Sequence, residues 1–180
     1  MIKKAFTPFP VLITERLTLR QLMQNDDQDV FALRSDSEIN KYLERQTSKT
    51  IEDAKDFINI VTENVKKNEA VYWAIIMKDS KTFVGSVCLF NFLDKHKKCE
   101  IGYELLGDFQ GKGFMKEAAS KAIEYAFQTI KIQTIEAFTH KKNQRSINLL
   151  KKLEFKKSLE PDNMNPDFYV YSLKKKNGNY

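Results

Sequence analysis

Two glycines and the helix behind them carry the first chemistry in this chain. In Gln110-Gly111-Lys112-Gly113-Phe114-Met115 the glycines stand just before a stretch in which Met115, Ala118, Ala119, Ala122, Ile123, Ala126, Phe127 and Ile130 recur at helical spacing. A helix that begins there leaves its first N–H groups without intrahelical partners, and the positive end of its dipole lies at the glycine loop. Such a loop can hold a phosphate or pyrophosphate with backbone alone. Two common nucleotide loops do not fit. A P-loop needs a longer gap between its glycines and Lys-Ser or Lys-Thr after the second, and the dinucleotide fingerprint needs a third glycine and an acid at the end of the next strand.

A second candidate set is a pair of carboxylates. Glu100-Ile101-Gly102-Tyr103-Glu104-Leu105 reads as a strand, and two-residue alternation points Glu100 and Glu104 to the same face. They are either a proton acceptor and its neighbour or a solvated charged edge. His96 and His140 are far apart and join no Cys/His/Asp cluster, so no metal site is expected. No Gly-x-Ser-x-Gly elbow is present. Cys88 and Cys99 fall in strands without a histidine partner and read as small buried hydrophobes rather than acyl carriers. Tyr72 and Trp73 open a strand and read as core or slot wall.

The elements that must position these residues alternate along the chain. Leu12 to Gln21 is expected as one strand. A helix capped by Asn25 or Asp26 carries Val30, Phe31 and Leu33, and a short helical piece spans about Ile39 to Leu43. Thr50 caps a helix from Ile51 to Lys67 with Ala54, Phe57, Ile58 and Val61 inward. Val71 to Met77 and Thr82 to Phe90 form a hairpin around Lys78-Asp79-Ser80-Lys81, and Asn91 to Lys98 is a polar loop into the glutamate-bearing strand. After the glycine-loop helix come a strand from Ile132 to Thr139, a helix from Asn143 to Leu153, and strands Phe155 to Leu159 and Asp167 to Leu173 around Pro161 and Pro166.

Composition sets the class. With 180 residues, 42% of them hydrophobic, the chain can fill a sizeable core, and it shows no repeat or linker that would divide it. One domain over 1–180 is expected, with a core from 12 to 173 and a frayed tail from 174 to 180. No apolar run approaches membrane-spanning length, and Met1 to Leu12 is broken by Pro8 and Pro10, so no membrane association is expected and a cytoplasmic protein is. The net charge of +6 is spread over lysine pairs such as Lys141-Lys142 and Lys156-Lys157, which read mostly as solvated surface. Without an aromatic nucleic-acid motif they do not make a nucleic-acid protein. Lys112 and Lys151 are the two placed to meet phosphates.

Three blocks in order resemble one family. Gln110 to Met115 resembles the acetyl-CoA signature Gln/Arg-x-x-Gly-x-Gly/Ala of the GNAT acyltransferase superfamily, with Met115 in the usually small last place. Asn143-Gln144-Arg145-Ser146 through Leu153-Glu154-Phe155 resembles the Asn-x-x-Ser and Leu-Gly-Phe element of its Rim-type branch, the ribosomal-protein N-terminal acetyltransferases, with Glu154 in place of glycine. Thr14-Glu15-Arg16-Leu17-Thr18-Leu19-Arg20 is similar to that branch's opening strand.

The resemblance implies a mixed α/β fold: a mostly antiparallel sheet flanked by helices, in which two parallel strands splay into a slot for acetyl-CoA. It implies a direct attack by an amine on the thioester, with the Leu105 amide as oxyanion donor and Leu106 against pantetheine. Gln110, Gly111, Lys112, Gly113, Phe114 and Met115 would hold the pyrophosphate. Glu100 is the preferred base, Glu104 the alternate. The helical position where many members carry an acidic tyrosine holds Leu150; likeness to the Rim-type branch, where the serine of Asn-x-x-Ser is the proposed donor, implies Ser146 as proton donor to the thiolate, with Asn143 beside pantetheine or capping its helix. The acceptor expected is a protein N-terminal α-amine. A polyamine or drug-like amine is the rival substrate, and a CoA- or RNA-binding module without activity is the rival class. The oligomeric state stays open between monomer and homodimer.

Overall fold

The computed structural model describes residues 2–158 and 165–176. Its frame is an eight-stranded sheet among the described residues, built from β1 (Leu12–Ile13), β2 (Leu17–Gln21), β3 (Val71–Met77), β4 (Phe83–Leu93), β5 (Lys98–Leu105), β6 (Thr134–His140), β7 (Lys156–Lys157) and β8 (Phe168–Lys174). The strand order is β1-β2-β3-β4-β5-β6-β8-β7. Every neighbouring pair is antiparallel except β5 with β6. That one parallel step exists because the chain leaves β5, forms the helix α4 (Phe114–Tyr125) on one face, and returns in the same direction.

The two faces of the sheet carry separate cores. On one, Phe114, Met115, Ala118, Ala119, Ala122 and Ile123 of α4 pack with Trp73, Val87, Leu89, Cys99 and Ile101, together with Ile147 and Leu150 of α5 (Gln144–Lys152). On the other, α1 (Asp27–Ser35) and α3 (Ile51–Lys66) place Val30, Leu33, Ala54, Ile58 and Val61 against Ala74 and Ile76. Strand alternation thus gives β5 two faces: Cys99, Ile101, Tyr103 and Leu105 face α4 and α5, while Glu100, Gly102, Glu104 and, just past the strand's end, Leu106 face α1 and α3. The two glutamates share a face as their spacing requires.

Several boundaries move. The expected strand from Leu12 to Gln21 turns back on itself, pairing Leu12 with Leu19, because Thr14 Oγ1 accepts from Leu17 N at 3.0 Å and closes a tight turn. Asp26 does not cap α1 with its side chain; both its oxygens are taken by Arg20 at 2.7 Å, with Met23 N on the second. Thr50 caps α3 as read, accepting from Asp53 N at 3.2 Å. The short α2 is Ser37–Asn40, capped by Asp36, rather than Ile39 to Leu43.

β4 runs on through Leu93, which shortens the expected polar loop to a single turn of helix, Asp94–His96. The α4 helix ends in a wider turn, Ala126–Ile130, and Lys131 takes a left-handed φ of 68° before buried Ile132, so β6 starts two residues late. Of the strand expected at Phe155 to Leu159, Lys156–Lys157 is formed and Leu159 lies outside the described residues. Lys174 belongs to β8, and Lys175 N donates to Gln133 O at 2.9 Å, so the tail is ordered further than its composition suggests.

Candidate active site

The parallel pairing of β5 with β6 lasts three residues, Lys98 with Thr134, Cys99 with Ile135 and Glu100 with Glu136. Beyond Glu100 the two strands part, yet β5 continues to Leu105 and β6 to His140. A slot opens between them; Tyr103 of β5 contacts Ser146 of α5 on the α4 and α5 side, and the chain that leaves β5 leads into the glycine loop.

The orientation of Leu105 follows from its neighbours. Leu106 N donates to Val84 O at 2.9 Å, toward β4. Backbone groups alternate along an extended strand, so the N–H and C=O of Leu105 turn the other way, into the slot. Its carbonyl confirms this by accepting from Gln110 Nε2 at 2.9 Å. The other end of that amide, Gln110 Oε1, accepts from Arg145 Nη1 of α5. One glutamine side chain therefore ties the end of β5 to the helix across the slot.

The loop itself has the geometry its glycines allow. Gly111 and Gly113 stand at φ of 77° and 83°, left-handed values that a Cβ disfavours. Gly113 is the residue before α4, so the N–H groups of Phe114, Met115 and Lys116 begin the helix with no partner of their own. A Cβ at Gly111 would meet nothing within 4 Å, which leaves the loop open on that side. The side chains of Phe114 and Met115 are buried in the core, so only their backbone can face a ligand.

Arg16, from the turn between β1 and β2, braces the same loop. Its Nη1 donates to Lys112 O at 3.2 Å, its Nε to Glu117 Oε2 at 2.7 Å, and its guanidinium lies 4.4 Å from the centre of the Phe114 ring. Glu117 is an acid in the first turn of a helix meant for anions. Burial raises its pKa, but Thr14 and the backbone and side chain of Arg16 outweigh that and hold it below its ordinary value.

On the α1 and α3 side of β5 Glu104 is held by several partners. Its Oε2 is in ion-pair contact with Arg45 Nη2 without the alignment of a hydrogen bond, and Tyr72 Oη donates to its Oε1 at 3.3 Å. Tyr72 Oη is also 2.7 Å from Ser86 Oγ. Burial, then Glu104, push the Tyr72 phenol well above its usual range. Burial pushes the Cys88 thiol up to about 12 and raises Cys99 too, so neither is a thiolate near neutrality.

Asn143 caps α5, its Oδ1 accepting from Ser146 N at 3.1 Å. Ser146 Oγ lies 2.9 Å from Tyr103 Oη, whose pKa burial pushes up to about 12. Leu150, where an acidic tyrosine would stand, is fully buried.

The fold thus gathers Glu104, Leu105, Leu106, the run Gln110 to Met115, Asn143 and Ser146 around one slot. Leu106 points its side chain into the α1 and α3 core rather than along the slot. Two expected residues lie apart. Glu100 accepts from Asn91 Nδ2 at 3.0 Å and sits five residues up the strand from Leu105, about 16 Å at about 3.3 Å per residue. Lys151 lines a separate cleft with Lys141, Lys156, Lys157 and Tyr169, while Arg145 is the α5 cation that reaches the loop. Tyr103, Arg145, Arg16, Arg34 and Arg45 are polar groups of this region that the sequence did not single out. Only Arg16 and Arg145 stood inside motif blocks.

With this geometry the family follows. Residues 16–156 match the acetyltransferase (GNAT) domain family, and the chain belongs to it. It is 32% identical over 149 residues to the uncharacterized N-acetyltransferase YoaA of Bacillus subtilis, covering 83% of this chain and 84% of that one. To the [ribosomal protein uS5]-alanine N-acetyltransferase of Escherichia coli it is 33% identical over 101 residues, 56% of this chain and 52% of the relative. Among solved structures, the ribosomal L7/L12 alpha-N-protein acetyltransferase RimL in complex with coenzyme A superposes with a TM-score of 0.81 at 16% identity, covering 92% and 98% of the two chains. The protein is a GNAT-type N-acetyltransferase, with the open mixed sheet of that fold.

Proposed function

We propose that this enzyme transfers the acetyl group of acetyl-CoA to a protein N-terminal α-amine, using residues 12–173 as one catalytic unit. The observation that carries the reading is the parting of β5 and β6 after Glu100 and Glu136, with the Leu105 amide turned into the gap and the glycine loop at its end. Acetyl-CoA supplies the activated thioester. The loop amides from Gly111 to Met115 receive the pyrophosphate, with Lys112 beside them. Pantetheine lies along β5 next to Asn143, and Leu105 N–H donates to the oxygen that becomes negative as nitrogen attacks. Ser146, steered by Tyr103, donates to the departing sulfur.

Attack needs a neutral amine, and Glu104, one residue from Leu105, is the carboxylate within reach of its proton, directly or through one water. An α-amine, with a pKa of about 7.7–8.0, is partly neutral already, whereas a lysine-like or polyamine nitrogen near about 10.4 demands far more of any base. We take the setting to be cytoplasmic; Cys88 and Cys99 are both free, and no helix among the described residues is long and apolar enough to cross a membrane.

The test is acetyl-CoA turnover, read as free thiol release, over N-terminal peptides, polyamines and aminoglycosides. Peptide α-amines should give the highest kcat/KM. Preference for a polyamine or an aminoglycoside would overturn the acceptor while leaving the enzyme class intact.

A further inference from the structure

The acceptor side of β5 carries more positive charge than the transfer chemistry uses. Arg34, in the last turn of α1, lays its guanidinium 3.8 Å from the centre of the Phe57 ring on α3. Its Nε is buried and has no hydrogen-bond partner. Arg45 is fixed differently: its Nε donates to Asn40 Oδ1 at 2.7 Å, and buried Asn40 is itself pinned through Nδ2 to Asp36 O at 2.7 Å. Its Nη2 meets Glu104 Oε2.

Arg45 is thus in ion-pair contact with Glu104, in a cluster completed by the neutral hydroxyls of Tyr72 and Ser86, and Arg34 feels the charge of both Arg45 and Glu104. Burial lowers the pKa of Arg34, Arg45 lowers it further, and Glu104 and Tyr72 oppose this. A desolvated cation beside a second cation is destabilising unless something anionic joins it. Glu104 is already in contact with Arg45, and no carboxylate among the described residues forms an ion pair with Arg34, which leaves room for an anion from outside the chain.

We propose that the acceptor itself brings that anion: a carboxylate, a few bonds from the reactive amine, that the Arg34 guanidinium receives while Glu104 faces the amine. This inference rests on the acetyl-transfer reading above and narrows its substrate. The planar fork of arginine matches a carboxylate in two-point contact, and the stacking on Phe57 holds the fork in one plane. Two sources offer this chemistry, the α-carboxylate of a free amino acid and the side chain of an aspartate or glutamate near a protein N-terminus. A polyamine offers only further positive charge and meets two guanidiniums.

Matched acceptor pairs test it on the intact enzyme: peptides beginning with aspartate against the same peptides beginning with asparagine, and free amino acids against their carboxamides, with spermidine alongside. The acidic member of at least one pair should exceed its neutral partner in kcat/KM by about tenfold or more, and which pair does so identifies the source. Arg34→Gln should collapse that preference, chiefly through KM, and Arg34→Lys should restore part of it. Equal use of acidic and neutral partners, persistence of the preference in Arg34→Gln, or preference for spermidine overturns the proposal. The first of these leaves acetyl transfer standing. If the protein binds acetyl-CoA in calorimetry but acetylates no amine, the function fails and this inference with it. The parent-enzyme comparison needs no variant to fold.

Discussion

Glu104 and Glu100 point the same way, but only Glu104 stands next to Leu105, whose amide we propose as the oxyanion donor. A strand advances about 3.3 Å per residue, so five residues outrun any glutamate side chain, and the pairing register puts Glu100 where the sheet is still closed. Glu104→Gln should therefore lower kcat by about 10²-fold or more with little change in acetyl-CoA affinity, while Glu100→Gln should stay within about threefold of the parent. Stopped-flow or steady-state thiol release reads both; a crippled Glu100→Gln beside an active Glu104→Gln would reverse the assignment. At this scale the sequence was informative about type and poor about partners. Glu104, Ser146 and Gln110 were visible, but the groups that hold them, Arg45, Tyr103 and Arg145, come from other elements. No spacing rule connects Tyr103 to Ser146 across forty-three positions.

The glycine loop and the start of α4 work as one element, braced by the turn before β2. Gly113 holds a φ of 83°, and a Cβ there would stand 3.5 Å from Arg16 Nη2, an ordinary contact. Strain rather than collision makes Gly113→Val costly: left-handed backbone disfavours an L side chain by about 1–2 kcal/mol, more for a branched one, and the added group crowds the phosphate. Acetyl-CoA binding should weaken by about 2 kcal/mol, roughly 30-fold, in calorimetry; unchanged affinity would remove the loop from the site.

The brace predicts a pH dependence. Glu117 accepts from Thr14 Oγ1 at 2.6 Å and from Arg16 N at 2.8 Å, contacts that favour its charged form. A carboxyl whose folded pKa lies below its unfolded value of 4.5 contributes stability that is complete above pH 4.5 and is lost as pH falls through the folded pKa. Denaturation midpoints measured between about pH 3 and 6 should fall at the acid end in the parent, and Glu117→Gln should remove that part of the slope. Helix α4, capped α3 and the hairpin of β3 with β4 were legible because periodicity and caps are local. The turn that splits β1 from β2 was not, since apolar alternation runs straight through it and the tie to Glu117 spans a hundred residues.

Across the whole molecule, the sheet consists of two parts, β1 to β5 and β6 with β8 and β7, joined by three parallel residue pairs and by the helices across one face. A ligand lying in the slot touches both parts. It should stabilise the fold globally by mass action: at a hundredfold excess over Kd, about 2.7 kcal/mol, which for a chain of this size raises Tm by roughly 5–10 °C. Scanning calorimetry with acetyl-CoA and with desulfo-CoA measures this; a Tm indifferent to both would mean that the slot is not where the cofactor binds. The mixed, mostly antiparallel sheet was foreseeable from the order of elements. Where β5 and β6 part was implied by family resemblance alone, because hydrophobic pattern reports which residues are inside and not where two strands stop pairing.

That parting also makes an edge in the middle of a sheet. Exposed strand edges recruit other chains and are a standing hazard for aggregation, and residues 101–105 of β5 carry such an edge toward β6, since pairing with β6 stops at Glu100. A molecule carrying amide groups in line, as the proposed cofactor does, would complete the ladder along that edge. On the proposed function, the bound cofactor therefore also covers an edge that would otherwise stand open to another chain.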